Sequence, residues 1–256
     1  MKAGLKVFIF WMIGMFVLVF IGIVKYEGLS AGGTNMTDLV SSFPRIVQAV
    51  MGISGIDIVT LGGYTAILTY YVLICAVIYA VYLGSAAVTR ESADKTYEFV
   101  FSKPVSRSRI LAMKLVTSWI YLLLFCVFTV LFSLGAVASL KTSESITGQI
   151  ILFNLSVFLI GSLFIAVSAF LASASKRPDK GTLYGNLAFL YAFILGVIYN
   201  MLDRPGLLKL ISPFTYFIPA DLIAGRFDLI YTAITLLLIL ALLYGTFSLF
   251  RKKDLL

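Results

Sequence analysis

Six stretches of this chain contain no charged residue and are each long enough to cross a bilayer. They are Val7–Val24, Leu61–Ala87, Leu115–Leu140, Ile150–Ala174, Leu183–Tyr199 and Leu229–Phe250. A hydrocarbon core of ~30 Å takes about 20 helical residues at ~1.5 Å each. The longer stretches fit with tilt. With 61% hydrophobic residues and a mean hydropathy of +1.03, the chain is far from the roughly 45–50% apolar content of soluble domains. The runs are continuously apolar, whereas barrel strands alternate over ~10 residues, so helices are expected. The expected fold class is an all-α integral membrane protein with six transmembrane helices, residues 1–256 forming one membrane domain.

The first stretch also invites comparison with a signal peptide, because Lys2 and Lys6 precede it. It is longer than the ~7–15 residues of a typical signal core, and no clean small-residue cleavage pattern follows. An uncleaved first span is expected.

Charge then sets the orientation. With six spans both ends of the chain lie on one side. That side holds Lys2, Lys6, six Lys/Arg from Arg90 to Lys114, and then Lys176, Arg177, Lys180, Arg251, Lys252 and Lys253. The other side holds Lys25, Arg45, Lys141, Arg204, Lys209 and Arg226. The richer side is expected to be cytoplasmic, in a cell membrane of bacterial type. The net charge of +8 therefore reads as topology, and nucleic acid is not an expected partner.

Several chemistries lose their usual residues. The sequence has no histidine, the commonest metal ligand and general base. None of the six runs contains a carboxylate, which ion-coupled transporters and proton relays usually keep inside the membrane. No G-x-x-x-x-G-K-[ST] phosphate loop occurs, so the chain is not expected to be an enzyme or to bind ATP by that route. Cys75 and Cys126 lie in the apolar runs and are expected to be packing residues.

Two outer segments stand out. In residues 41–60, Ser41 or Ser42 can cap a short helix with Pro44 in its first turn. Ile46, Val47, Val50 and Met51 would form its apolar face at the membrane surface. In residues 200–228, Pro213, Pro219 and Gly225 interrupt an apolar stretch. A re-entrant hairpin before the last span is expected, with its backbone shielded by protein.

The most charged segment connects the second and third spans, over residues 88–114. Glu91, Asp94, Lys95 and Glu98 recur at helical spacing, with Tyr97, Val100 and Phe101 as an apolar complement. A short amphipathic helix ending near Lys103, before Pro104, is expected. Ser106 or Ser108 would then cap a helix running through Arg107, Arg109 and Lys114 into the third span. Basic residues here suit anionic lipid. Carboxylates do not, and they point to a protein surface.

At these residues the sequence resembles type-2 ABC exporter permeases. The run E-(x)3-KTYEF-(x)2-SKPVSR-(x)2-I-(x)3-KL, between Arg90 and Leu115, carries the likeness, and SPFTYF at 212–217 adds to it. The resemblance implies six spans, cytoplasmic termini, and a dimer of such subunits above two separate ATPase subunits. It also implies that the 88–114 connection forms a coupling helix, with Glu91, Asp94, Lys95, Thr96, Glu98, Lys103, Pro104 and Arg107 meeting the ATPase. Lys176, Arg177, Asp179 and Lys180 would make a lesser contact. ATP and Mg would sit on the partner, with no cofactor on this chain. The 25–60 connection is longer than in minimal members, which leaves the cargo open between a peptide antibiotic, a lipid and another amphipathic molecule.

A small-residue stripe on the fifth span, Ala188, Ala192, Gly196 and Asn200, offers a close helix approach. It suits either packing within the subunit or a dimer interface, and the resemblance favours the interface, in a homodimer. Tyr64, Tyr71, Tyr79, Tyr82, Tyr184 and Tyr191 are candidates for a transport path. The rival readings are an ATP-independent channel or secondary transporter, and an intramembrane enzyme using polar groups such as Asn154 and Asn186.

Overall fold

The computed structural model describes residues 2–30, 40–93, 106–140, 142, 144–175, 177, 180–202 and 206–252. Six helices are long and apolar enough to span a membrane: span 1 Gly4–Gly28, span 2 Leu61–Arg90, span 3 Arg107–Ser139, span 4 Thr147–Ala174, span 5 Gly181–Met201 and span 6 Leu229–Arg251. The number and places of the apolar runs are as expected. No strand occurs among the described residues.

Span 4 is the axis of the bundle. Of its most apolar window 72% is buried, against 22% for spans 1, 5 and 6. It packs against spans 2, 3, 5 and 6. Lipid is as apolar as leucine, so helices in a bilayer associate where small side chains let backbones approach. Span 4 supplies such residues on all sides: Ser156, Gly161, Ser162, Ala166, Ser168, Ala169 and Ala172 are all buried. Its Gly161 admits Leu122 of span 3, whose methyls would lie 3.0 and 3.1 Å from an added Cβ.

Span 1 lies in the groove between spans 2 and 3. Its Trp11 ring meets Tyr79 at 5.5 Å, and its Phe8 ring meets Tyr121 at 5.6 Å. Residues Phe16–Ile21 form a π-helical stretch that turns Val19 into the core.

The connections differ from the expectation in detail. Pro44 holds the N-cap position of the helix Arg45–Met51, with ψ 143°, so proline stands just before the first turn and not within it. Pro44 Cδ favours an extended residue before it, and its own fixed φ suits entry to a helix. The helix exposes Ile46 and Val50 and buries Ala49. It ends at Gly52, whose φ of 71° lies in the left-handed region, where glycine carries no Cβ penalty.

Residues 206–223 fold as a broken segment: helix Gly206–Ile211, a 3-10 turn Pro213–Thr215, and helix Pro219–Ile223. Lys209 pairs with Asp228 at 3.3 Å and lies over the Tyr231 ring at 4.1 Å. Asp228 Oδ1 accepts from Ile230 N and Tyr231 N at the start of span 6, an N-terminal cap.

Candidate functional site

The ends of spans 2 and 3 flank the charged connection. The span 2 helix continues to Ala93. Glu91 therefore belongs to the span helix itself, not to a separate amphipathic helix. Backbone hydrogen bonding simply propagates past the apolar run, since nothing from Ala87 to Ala93 breaks a helix. Asp94, Lys95, Thr96, Glu98, Lys103 and Pro104 lie outside the described residues. The span 3 helix starts at Arg107, and Ser106 Oγ accepts from Arg109 N at 3.4 Å, one of the two caps expected.

Below that connection the two helices are tied directly. Lys114 Nζ donates to Ala87 O at 3.1 Å. One turn further along, Ser118 Oγ shares its one proton between Leu83 O of span 2 at 3.2 Å and Lys114 O of its own helix at 3.1 Å. Ala87 O and Leu83 O belong to span 2 and both donors to span 3, so the pair forms two rungs between them. Arg251 Nε donates to Ser108 Oγ at 3.0 Å and brings the end of span 6 to the same place. Lys114 is among the basic residues noted as suiting anionic lipid, and its ammonium reaches a backbone carbonyl across the helix pair.

Span 5 joins this end through span 2. Ser85 Oγ and Thr182 Oγ1 share a hydrogen bond of 2.8 Å. Gly84 lies against the Ile165 carbonyl and Ser168, and an added Cβ at Gly185 would meet Val81 Cγ1 at 2.6 Å. These glycines bring spans 2, 4 and 5 to backbone contact. In the short connection before span 5, Ser175 Oγ accepts from Arg177 N at 3.1 Å, Arg177 is exposed, and Lys180 is half-buried. Lys176 and Asp179 lie outside the described residues.

The other end of the bundle is built from the irregular segments. Ser212 Oγ donates to Ala192 O at 3.2 Å. An added Cβ at Gly196 would meet Ser212 Oγ at 3.2 Å and Phe214 Cβ at 3.3 Å. The close approach offered by Ala192 and Gly196 brings in residues 212–214 of the same chain, packing within the subunit being one of the two readings the stripe allowed. Ala188 is half-buried on the same helix. Asn200 lines a cavity of about 50 Å³ with Ser54, Tyr70, Tyr199 and Phe214. A second cavity, of about 40 Å³, adjoins it through Tyr70, Phe214 and Phe217.

A family model described as ABC-2 family transporter protein matches residues 2–255. The chain belongs to the ABC-2 transporter family. Nothing matches it among curated proteins or among solved structures. An ABC-2 permease is a membrane transport subunit that works with an ATP-binding partner subunit.

In this permease the six tyrosines singled out from the sequence do not line one path. Tyr64 Oη donates to Gly22 O at 3.0 Å and Tyr71 Oη to Met51 O at 3.2 Å. Both brace neighbouring segments. Tyr79 is buried against Trp11 and Phe125, Tyr82 is half-buried, and Tyr184 and Tyr191 are exposed. The tyrosines at the cavities are Tyr70 and Tyr199, which the sequence reading passed over. The signal for Tyr70 was Gly52, whose missing side chain leaves room for the Tyr70 ring, but that pairing joins residues far apart in the chain. Cys75 and Cys126 are free thiols.

Proposed function

We propose that this ABC-2 permease is the membrane half of an ATP-driven exporter. It moves an amphipathic molecule, a peptide antibiotic or a lipid, out across a cytoplasmic membrane. Two copies of the chain form the translocating unit, and two soluble ATPase subunits dock at the side carrying both termini, where ATP and Mg bind. Residues 88–114 are the coupling element: Glu91, Asp94, Lys95, Thr96, Glu98, Lys103, Pro104 and Arg107 meet the ATPase. Lys176, Arg177, Asp179 and Lys180 add a smaller contact.

The observation that supports this reading is the pair of rungs from Lys114 and Ser118 to span 2. A push on the charged connection acts on spans 2 and 3 together, because their ends cannot separate without breaking both bonds. Span 2 is in turn locked to spans 4 and 5 at Gly84 and Gly185. ATP binding to the partner then favours one arrangement of the bundle over another, which is alternating access by differential binding.

The test is co-purification with the cognate ATPase followed by ATPase and export assays in lipid. The Glu91→Ala, Glu98→Ala double variant is expected to insert normally but to lose ATPase binding or to uncouple hydrolysis from export. A charge pair buried at an interface can cost ~2–5 kcal/mol when one side is truncated. Full binding and full export by that variant would remove the coupling assignment. Labelling of Asp94→Cys from outside intact cells would overturn the orientation.

A further inference from the structure

Between spans 1, 2, 3 and 4, away from the charged connection, lies a small polar cavity. It leaves about 10 Å³ for the centre of a water-sized molecule, and ~10–15 Å³ of such space holds one water. Thr65 and Thr69 of span 2, Thr129 and Ser133 of span 3 and Asn154 of span 4 line it. Thr65 is 3% exposed and Asn154 6%. Thr65 Oγ1 and Asn154 Oδ1 have no hydrogen-bond partner among the described residues.

The direction of the surrounding bonds narrows what fits. Thr69 Oγ1 donates to Thr65 O, Thr129 Oγ1 to Phe125 O and Ser133 Oγ to Thr129 O. Each hydroxyl has spent its one proton on its own helix and keeps only lone pairs for the cavity. Asn154 Nδ2 donates to Ile150 O at 3.0 Å. That carbonyl can only accept, which fixes the amide nitrogen there and leaves the amide oxygen unpaired. The lining therefore offers several acceptors, and its uncommitted protons are the hydroxyl proton of Thr65 and the second amide proton of Asn154 Nδ2.

We propose that this cavity is a binding site for a single structural water. The water donates to Asn154 Oδ1 and to a hydroxyl oxygen of span 3, and accepts from Thr65. Three bonds is the usual complement of a buried water. The bridge satisfies two atoms that otherwise cost free energy in an apolar surrounding, and it ties span 2 to spans 3 and 4. A bare cation meets the acceptors but not the charge: no Asp or Glu lines the cavity, and an uncompensated buried charge is far more costly than a neutral guest. The π-helical stretch of span 1 supplies the apolar wall through Val19, with Ile23 one turn beyond it.

The test uses the purified full chain in lipid nanodiscs and its thermal unfolding midpoint. Thr65→Val and Asn154→Leu each keep shape and strand the other partner of the bridge. Each is expected to lower the midpoint, while the double variant Thr65→Val, Asn154→Leu loses less than the sum and moves back toward wild type. Purely additive losses would overturn the bridge. A midpoint that rises with NaCl or KCl, but not with N-methylglucamine chloride at equal ionic strength, would overturn water in favour of a cation. If Asn154→Leu does not fold, a high-resolution map of the wild-type chain decides. A density peak within hydrogen-bond reach of both Thr65 Oγ1 and Asn154 Oδ1 supports the site, and a direct Thr65–Asn154 bond with no peak overturns it.

Discussion

The two ends of this bundle are held together in different ways. At the end carrying both termini, regular helices run to the edge and side chains reach across to the backbone of the neighbouring span, as Lys114 and Ser118 do. Glycines there bring backbones into contact. At the opposite end side chains also reach neighbouring backbone, as Tyr64 and Ser212 do, but short broken segments and aromatic rings fill much of the space and leave the cavities beside Tyr70. A close-packed, cross-braced end transmits a displacement. An end with small cavities and short helices can change shape at low cost, because fewer packed contacts must be broken. That difference fits the proposed division of labour, in which force enters at one end and the other opens.

The braced end should be the more sensitive to added volume. In Gly84→Val the new side chain collides with the Ile165 carbonyl and Ser168, neither of which is a flexible tip. Overpacking costs ~1–3 kcal/mol and more where backbone must move. The expected outcome is severe loss of folded, membrane-inserted protein, read by fluorescence size-exclusion chromatography. Wild-type yield and stability would mean that spans 2 and 4 do not meet there.

Gly196→Leu makes the corresponding change at the opposite end. Its new side chain displaces Ser212 and Phe214, which sit on a short segment that can shift. A loss of ~1–3 kcal/mol is expected, smaller than for Gly84→Val, with oligomeric state retained. A stable subunit that no longer dimerises would return the stripe to a subunit interface.

How much of this was legible in the sequence follows from what lipid and water each demand. The spans were readable because length and absence of charge are all a bilayer requires, and Leu229–Phe250 was recovered within Leu229–Arg251. The central place of span 4 was not, because lipid-facing and protein-facing sides are equally apolar; its run of buried serines and alanines was the signal available. Residue spacing in the stripe with Ala192 and Gly196 names no partner, and within the chain Ser212 and Phe214 lie against it. For Lys114 the local pattern shows charge near a membrane, which suits lipid, but not the Ala87 carbonyl across the helix pair. Most of the coupling residues, from Asp94 to Pro104, fall outside the described residues, so their assignment still rests on resemblance.

Two single-bond deletions make the finest comparison. Lys114→Met removes the rung to Ala87 while keeping an unbranched apolar stem of similar length. A hydrogen bond to a charged group contributes ~1.5–3 kcal/mol, so a modest stability loss is expected. Its sharper consequence is functional: ATP hydrolysis by the partner should persist while export per ATP falls, because of the two rungs only that of Ser118 then holds span 3 to span 2. Equal losses of hydrolysis and export would point to a docking defect instead.

Tyr71→Phe is the smallest change and the control for that reading. It deletes one hydrogen bond, from Tyr71 Oη to Met51 O, and keeps the ring that meets Tyr70 at 5.9 Å. The bond is neutral and exposed, so its net worth is at the low end of the ~0.5–1.5 kcal/mol typical of such bonds. Water can replace the lost donor at the Met51 carbonyl, because that helix end is exposed. Stability should therefore fall only slightly, and export per ATP should stay near wild type. The two variants thus separate a general effect of losing one side-chain-to-backbone bond from an effect specific to the braced end. If Tyr71→Phe uncoupled hydrolysis from export as strongly as Lys114→Met, coupling would depend on the whole bundle and not on the rungs between spans 2 and 3.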